Sequence, residues 1–243
     1  MKISELNSID YKILKEKYGN LDIIKDKLND NYPIQYLIGN VDFDGFIIDV
    51  DERVLIPRFE TEGLVEKTLY YLKEKNLING KVLEIGTGSG CISIALKGKM
   101  NSLDILAIDN SIDALNVAKN NAKNNHTNIK FLNIDLFDYN PKDKFDIIIS
   151  NPPYITYGDE VSSNTKYEPY HAIYVDGNPL KYYQKILELG LSILDKNFLI
   201  ALEIDEEQGN NLLELAQYYY PNCNIILEKD LANKDRYLFI MNK

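Results

Sequence analysis

Residues 81–96 leave little choice of architecture. There Lys81-Val82-Leu83-Glu84-Ile85 runs into Gly86-Thr87-Gly88-Ser89-Gly90 and then into Cys91-Ile92-Ser93-Ile94-Ala95-Leu96. A short apolar run closed by glycines and followed by a helix-like stretch reads as strand, loop and helix, the unit from which an α/β sheet is wound. Glycines let the main chain approach a ligand closely, and the start of the helix supplies unpaired N–H groups. The spacing is Gly-x-Gly-x-Gly and not the full dinucleotide fingerprint, so a pyrophosphate is not specifically indicated. Glu84, just before the loop, would suit a cationic or amino-bearing ligand better than a phosphate.

Further strands repeat the pattern. Leu103-Asp104-Ile105-Leu106-Ala107-Ile108 ends in Asp109, about 20 residues after the glycines, where a carboxylate can take both hydroxyls of a ribose. A helix N-cap before Ser111 is the alternative use of Asp109. Ile129-Lys130-Phe131-Leu132-Asn133-Ile134 ends in Asp135-Leu136-Phe137, well placed for an adenine ring. Phe145-Asp146-Ile147-Ile148-Ile149-Ser150 reads as a strand buried on both faces and is followed at once by Asn151-Pro152-Pro153-Tyr154. Successive strands that end in polar or glycine loops place a ligand across the carboxyl edge of one sheet.

The Asn-Pro-Pro-Tyr turn identifies the kind of atom attacked. It offers the Asn151 side-chain carbonyl and proline-flanked main-chain carbonyls as neighbouring acceptors, a grip for the planar NH2 of an amide, amino-purine or amino-pyrimidine. Asn before Pro is pushed out of the α region and the second Pro fixes its own φ, so the loop is held open at little entropic cost. An isolated Asn-Pro pair would be read as an ordinary turn. The glycine loop and Asp109 upstream reverse that reading.

Taken together, Val82 to Gly90, Asp109, Asp135-Leu136-Phe137 and Asn151-Pro152-Pro153-Tyr154 resemble a class I methyltransferase that uses S-adenosylmethionine and modifies an NH2 nitrogen. More narrowly, the chain resembles the HemK/PrmC family, which methylates the glutamine side-chain amide in the Gly-Gly-Gln motif of peptide chain release factors. Three further segments carry this likeness: Pro33 to Gly39, Asp51 to Glu62, and Lys229 to Arg236. The resemblance covers nearly everything from Pro33 onward. It implies that Glu84, Gly86, Thr87, Gly88, Ser89, Gly90, Asp109, Asp135 and Leu136, with Asn151, bind the cofactor. It implies that Asn151, Pro152, Pro153 and Tyr154 hold the substrate glutamine, with Asn151, Pro152 and Tyr154 as the catalytic group, and that Arg58, Glu60 and Thr61 lie on the substrate side. The release factor is the implied protein partner, and no metal is implied. Phe59 stands where the family usually has a second Pro, and the segment before Pro33 is shorter than the family's usual helical N-terminal domain.

Composition narrows the alternatives. The formal net charge is −10 with a pI near 4.8, and no basic run is available to meet nucleic-acid phosphates. Direct nucleic-acid binding is therefore not expected, although adenine-N6 methylation is the runner-up in another substrate class, because the exocyclic NH2 of adenine fits the same acceptors. Glutamine methylation of a ribosomal protein is the near alternative, and a non-enzymatic S-adenosylmethionine-binding module the distant one. No apolar stretch is long enough to span a bilayer and no basic-then-apolar leader is present, so the expected setting is the cytoplasm, without membrane contact. Cys91 and Cys223 read as buried thiols of a reducing compartment, and His126 and His171 have no ligand spacing with them. Arg is confined to Arg53, Arg58 and Arg236, positions expected to need a planar guanidinium.

The expected architecture is a Rossmann-like doubly wound α/β sheet with an antiparallel edge strand, plus a short N-terminal helical segment and a linking hairpin. Residues 1–32 read as helices broken near Gly19-Asn20, 33–56 as a β-hairpin turning at Asp44-Gly45, and 57–243 as the methyltransferase domain. Glu60 to Lys75 has helical spacing, and Ile155 to Asn178 reads as a long functional loop. Helices are expected over Leu180 to Leu194 and Glu206 to Tyr219, and strands over Phe198 to Ile204, Asn224 to Glu228 and Tyr237 to Met241.

Overall fold

The computed structural model describes residues 3–156 and 165–243. After a 3-10 turn at Ile3–Glu5, helix α1 spans Ser8–Tyr18. Asn7 caps it by accepting from the N–H groups of Ile9 and Asp10, and Gly19 closes it at φ +69°. The expected break at Gly19-Asn20 is present. Beyond it a 3-10 turn, Leu21–Ile24, leads into α2, Lys25–Asn29.

The linking hairpin is narrower than expected, because its first residues form α3, Ile34–Ile38. The signals are local: Pro33 precedes the helix, and Gly39, at φ +96°, donates its N–H to the Gln35 carbonyl at 2.7 Å. Strands β1, Asn40–Phe43, and β2, Phe46–Asp49, then pair antiparallel. Asp44 and Gly45 both have positive φ, the conformation a two-residue hairpin turn requires. Phe46 settles over Gly98, where a Cβ would meet its ring at 2.2 Å. Residues 50–56 carry no regular structure.

Helix α4, Phe59–Glu74, precedes the winding of the sheet. Strand β3, Lys81–Ile85, leads through the glycine loop to α5, Cys91–Lys99. The chain continues with β4, Asp104–Asp109, α6, Ile112–Asn124, β5, Lys130–Asn133, and β6, Phe145–Ser150. The segment expected as one long loop contains β7, Ile155–Thr156, a 3-10 turn at Thr165–Tyr167, α7, Tyr170–Ile173, and β8, Tyr174–Val175. Strands β7 and β8 pair in parallel, and the part of the expected loop at 157–164 lies outside the described residues. Helix α8, Lys181–Ile193, β9, Leu194–Glu203, α9, Gly209–Tyr219, β10, Asn224–Lys229, and β11, Asp235–Met241, complete the chain.

Seven strands form one sheet in the order β10-β11-β9-β6-β3-β4-β5. The five strands β9, β6, β3, β4 and β5 run parallel, and β11 runs antiparallel to both neighbours. The reversed strand therefore sits one position in from the edge, between β9 and β10. Alternate side chains serve opposite faces, as the strand period demands. Val82, Ile147, Ile149, Leu199 and Phe239 pack with α4 and α5, whereas Leu83, Ile148, Ile200, Leu202 and Ile240 pack with α8 and α9. Burial of α1 to α3 is continuous with the first face: Leu14, Leu28 and Leu37 share one apolar cluster with Phe43, Ile48, Leu64 and Leu72. Cys91 is buried and Cys223 half-buried; both are free thiols. Among the described residues no helix is long and apolar enough to cross a membrane.

Candidate active site

The carboxyl ends of β3, β4 and β6 open onto a cleft. Gly86 and Gly88 form part of its wall, at φ +72° and +54°, and a Cβ built on either would meet nothing within 4 Å. The main chain is thus bare toward the space a ligand would fill. Gly90 is glycine for a different reason: at φ +84° its Cβ would come within 3.1 Å of Ala118 on α6. The loop is held below by the Ile108 carbonyl, which accepts from Gly86 and Thr87 at 2.9 and 3.1 Å. It is held laterally by Asn121 of α6, whose Nδ2 donates to the Ser89 carbonyl and to Asp49 O of the hairpin.

Asp109, at the end of β4, lines this cleft and also ties the loop, accepting from Gly88 N–H and Ser111 N–H at 2.9 Å each. Burial raises its carboxyl above the ordinary range, against the pull of those two N–H groups. The N-cap of α6 is Ser111, which accepts from Ala114 N–H, so the capping use of Asp109 is not the one observed. Asp135 and Leu136 line the apolar end together with Ile108, Ala114 and Ile134. Asp135 accepts from Phe137 N–H at 2.8 Å and from Asn110 Nδ2 at 3.1 Å.

Glu84, Thr87 and Ser89 are not on the cleft wall. Glu84 is fully buried beneath the loop and accepts from the hydroxyls of Thr87, at 2.8 Å, and Ser93. Burial pushes its carboxyl up to about 7, against the pull of Ser93 and Thr87. The expectation that Glu84 faces a cationic ligand is therefore corrected: it braces the loop from inside.

Asn151, Pro152 and Pro153 line this cleft and also a second one, whose wall includes Tyr154, Arg58 and Leu55. The Asn-Pro-Pro-Tyr turn is thus the partition between two openings. Ser150 fixes its base by donating Oγ–H to the Ile85 carbonyl at 2.8 Å. Asn151 Nδ2 donates to Thr61 Oγ1 at 3.2 Å, and the Tyr154 carbonyl accepts from Gln208 at 3.2 Å. Burial raises the Tyr154 phenol above its ordinary range.

The substrate-side trio separates. Arg58 reaches the second cleft and pairs at 2.6 Å with Glu168, whose other oxygen accepts from Ile56 N–H. Thr61 is buried beneath Asn151 and touches neither cleft. Glu60 lines a third opening near Phe59 and Lys67, and its carbonyl accepts from Tyr237. Of the three arginines, Arg53 also lines the first cleft, while Arg236 donates to the Ile204 carbonyl and pairs with Asp230.

Val54, Leu55 and Tyr182 also line the first cleft and escaped the sequence reading, whereas His171 and Ala172 lie in the 155–178 segment read there as a functional loop. Glu203 escaped too, although a lone Glu closing the apolar strand β9 at the same carboxyl edge was a visible signal. It is 1% exposed. Burial pushes its carboxyl up to about 7, against the pull of Thr61, Arg236 and Asn151.

A parallel-cored sheet with a glycine loop, an acidic strand end and an Asn-Pro-Pro-Tyr partition defines a Rossmann-like class I methyltransferase. Residues 64–167 match the family described as Methyltransferase small domain. The release factor glutamine methyltransferase of Lactococcus lactis subsp. lactis (strain IL1403) is 37% identical over 242 residues, covering 98% of this chain and 88% of that protein. The protein of the same description from Streptococcus pneumoniae (strain ATCC BAA-255 / R6) is 40% identical over 229 residues, covering 93% and 81%. Among solved structures, the hMettl16 catalytic domain in complex with MAT2A 3'UTR hairpin 1 has a TM-score of 0.63. It covers 96% of this chain and 91% of that one at 19% identity, a likeness of fold alone. The chain belongs to the release factor glutamine methyltransferase family.

Proposed function

We propose that this protein transfers a methyl group from S-adenosylmethionine to the side-chain amide nitrogen of the glutamine in the Gly-Gly-Gln motif of peptide chain release factors, acting in the cytoplasm. The observation that carries this reading is the Asn151-Pro152-Pro153 partition, which faces both clefts at once. One cleft suits the cofactor: bare glycine main chain, the Asp109 carboxylate for a ribose, and Ile134 with Leu136 for an adenine. The other would admit an extended glutamine stem along Tyr154 and Leu55.

When bound, S-adenosylmethionine supplies an electrophilic methyl group on a sulfonium. An amide nitrogen is a poor nucleophile because its lone pair is delocalised into the carbonyl, so positioning must supply much of the rate. Asn151 Oδ1 and the Pro152 carbonyl are the acceptors for the two amide hydrogens. Accepting both directs the nitrogen across the partition and favours the positive charge that develops on it. Neither group is a strong base, and none is required: the alkylated amide is acidic enough to release its proton to water.

The formal charge of −10 supports a protein substrate over a nucleic acid. The test is label transfer from methyl-labelled S-adenosylmethionine in an extract containing ribosomes and release factors, with the labelled residue located by mass spectrometry. Label is expected on the Gly-Gly-Gln glutamine and is expected to vanish when that glutamine is replaced by Ala. Label on RNA, or on another protein only, would overturn the reading.

A further inference from the structure

Asn151 can serve as an acceptor only if its amide is turned the right way. The two ends of a primary amide are nearly equal in shape, but one accepts and the other donates. A flipped Asn151 would face an incoming NH2 with another NH2. Something must therefore distinguish the two orientations, and nothing in the proline turn does so.

The sheet supplies it. Strands β6 and β9 run parallel with Ser150 opposite Leu202, so the next residues, Asn151 and Glu203, emerge side by side at the carboxyl edge. The Glu203 side chain is buried and reaches no cleft, and Thr61 and Asn151 are among the groups that pull its carboxyl down against burial. One of its oxygens, Oε2, has no hydrogen-bond partner among the described residues. Thr61 comes from the first turn of α4 and accepts from Asn151 Nδ2 at 3.2 Å. Ionised above about pH 7, Glu203 only accepts, whereas a hydroxyl accepts and donates. Asn151 N–H is donated to the Thr61 oxygen, so the Thr61 hydroxyl proton is directed elsewhere, and an ionised Glu203 beside it can only receive it.

We propose that Glu203 and Thr61 are positioning residues that lock the Asn151 amide with its nitrogen inward and its oxygen toward the substrate. The proposal rests on the glutamine-amide reading above and reassigns Thr61 from substrate contact to support. Glu203 does not take the substrate's proton, because it faces neither opening. It acts only through Asn151.

The experiment compares Glu203→Gln, Thr61→Val and Thr61→Ser with the wild-type chain, each alone and combined with Asn151→Ala. Melting temperature, cofactor Kd, and single-turnover methylation of whichever extract component carries the wild-type label are measured. Glu203→Gln can donate where the carboxylate accepts, and Thr61→Val keeps the shape without the hydroxyl. Each is expected to lower the transfer rate by about 10-fold or more while cofactor Kd moves less than about twofold. Thr61→Ser is expected to recover most of the Thr61→Val loss. In the Asn151→Ala background, Glu203→Gln is expected to add less than about twofold, since residues acting as one unit are not additive. Wild-type rates in Glu203→Gln, or a full further loss on top of Asn151→Ala, would overturn the proposal. Should Glu203→Gln fail to fold, the Thr61 pair and its combination with Asn151→Ala decide the matter. Wild-type label on a different residue defeats the substrate reading but leaves this comparison intact.

Discussion

Replacing Asp109 by Ala separates two duties of one side chain. Its carboxylate accepts from Gly88 N–H and Ser111 N–H at 2.9 Å each, and it also lines the cleft. A buried N–H left without a partner costs roughly 1–3 kcal/mol. Taking the lower end for each, the pair costs about 2 kcal/mol. For a chain of this size that corresponds to a melting temperature lowered by about 4–8 °C. The second duty is to take two ribose hydroxyls, and its loss should weaken S-adenosylmethionine by about 10- to 100-fold, roughly 1.5–3 kcal/mol. Calorimetric titration alongside thermal unfolding reads the two duties independently. Asp109→Asn keeps the shape and one acceptor, so it should fall between wild type and Ala in both assays. A lowered melting temperature with an unchanged Kd would show that Asp109 only ties the loop, and the ribose assignment would be wrong.

Asn151→Ala should weaken cofactor binding far less than Asp109→Ala does, yet lower kcat by at least about 100-fold, roughly 2.7 kcal/mol, in a steady-state assay on a Gly-Gly-Gln substrate. Gly90→Ala places a Cβ within 3.1 Å of Ala118 at a φ of +84°; denaturant unfolding should register a loss of about 1–3 kcal/mol. Stability should also fall as pH rises. Glu84 and Glu203 hold their protons up to about 7 when folded against a model value of 4.5, so the folded chain binds more protons than the unfolded one across that window. Each therefore stabilises fully below about pH 4.5 and loses about 3 kcal/mol of that by pH 7. Unfolding at pH 5 and pH 8 should show this decline, and Glu84→Gln should remove about half of it, Glu203 supplying the rest; carboxyls held low by partners, such as Asp51 and Glu228, titrate below the window.

What could be read along the chain is what depends on local pattern. The strand ends at Ile85, Asp109 and Ser150 were legible because apolar runs and glycine or proline punctuation are properties of neighbours in sequence. Helix α3 was missed because Pro33 to Gly39 is too short for periodicity to separate from an extended run, although its left-handed glycine was there to be read. The position of β11 inside the sheet depends on which strand edge is free when the chain returns, which no local pattern encodes. The same holds within the site. Asn151 announces itself through the prolines that follow, whereas Thr61 lies 90 residues away and reaches it only through the packing of α4. Glu84 shows the opposite error: adjacency to the loop was taken for exposure to the ligand, but β3 is a central strand buried on both faces, so its side chains point into packed layers whichever way they turn.

A pattern in the buried charges joins these observations. Among the described residues the buried charged side chains are Glu84, Glu168 and Glu203. Burying a carboxylate is expensive and apolar replacements are often as stable, so three of them in one region require a reason other than stability. Each stands behind a different ligand-facing segment. Glu84 gathers the hydroxyls of Thr87 and Ser93 under the glycine loop. Glu168 binds Ile56 N–H and Arg58, tying the approach to α4 to the segment that carries His171 and Ala172 into the first cleft. Glu203 lies with Thr61 behind Asn151. Loops at a sheet edge have few apolar contacts to hold them, and a carboxylate accepting from two directions fixes a loop more sharply than a methyl group can. The chain is acidic overall, yet these three are used for their acceptor geometry in places where water cannot substitute. Stability is spent there on the orientation of a small number of atoms that the reaction cannot leave to chance.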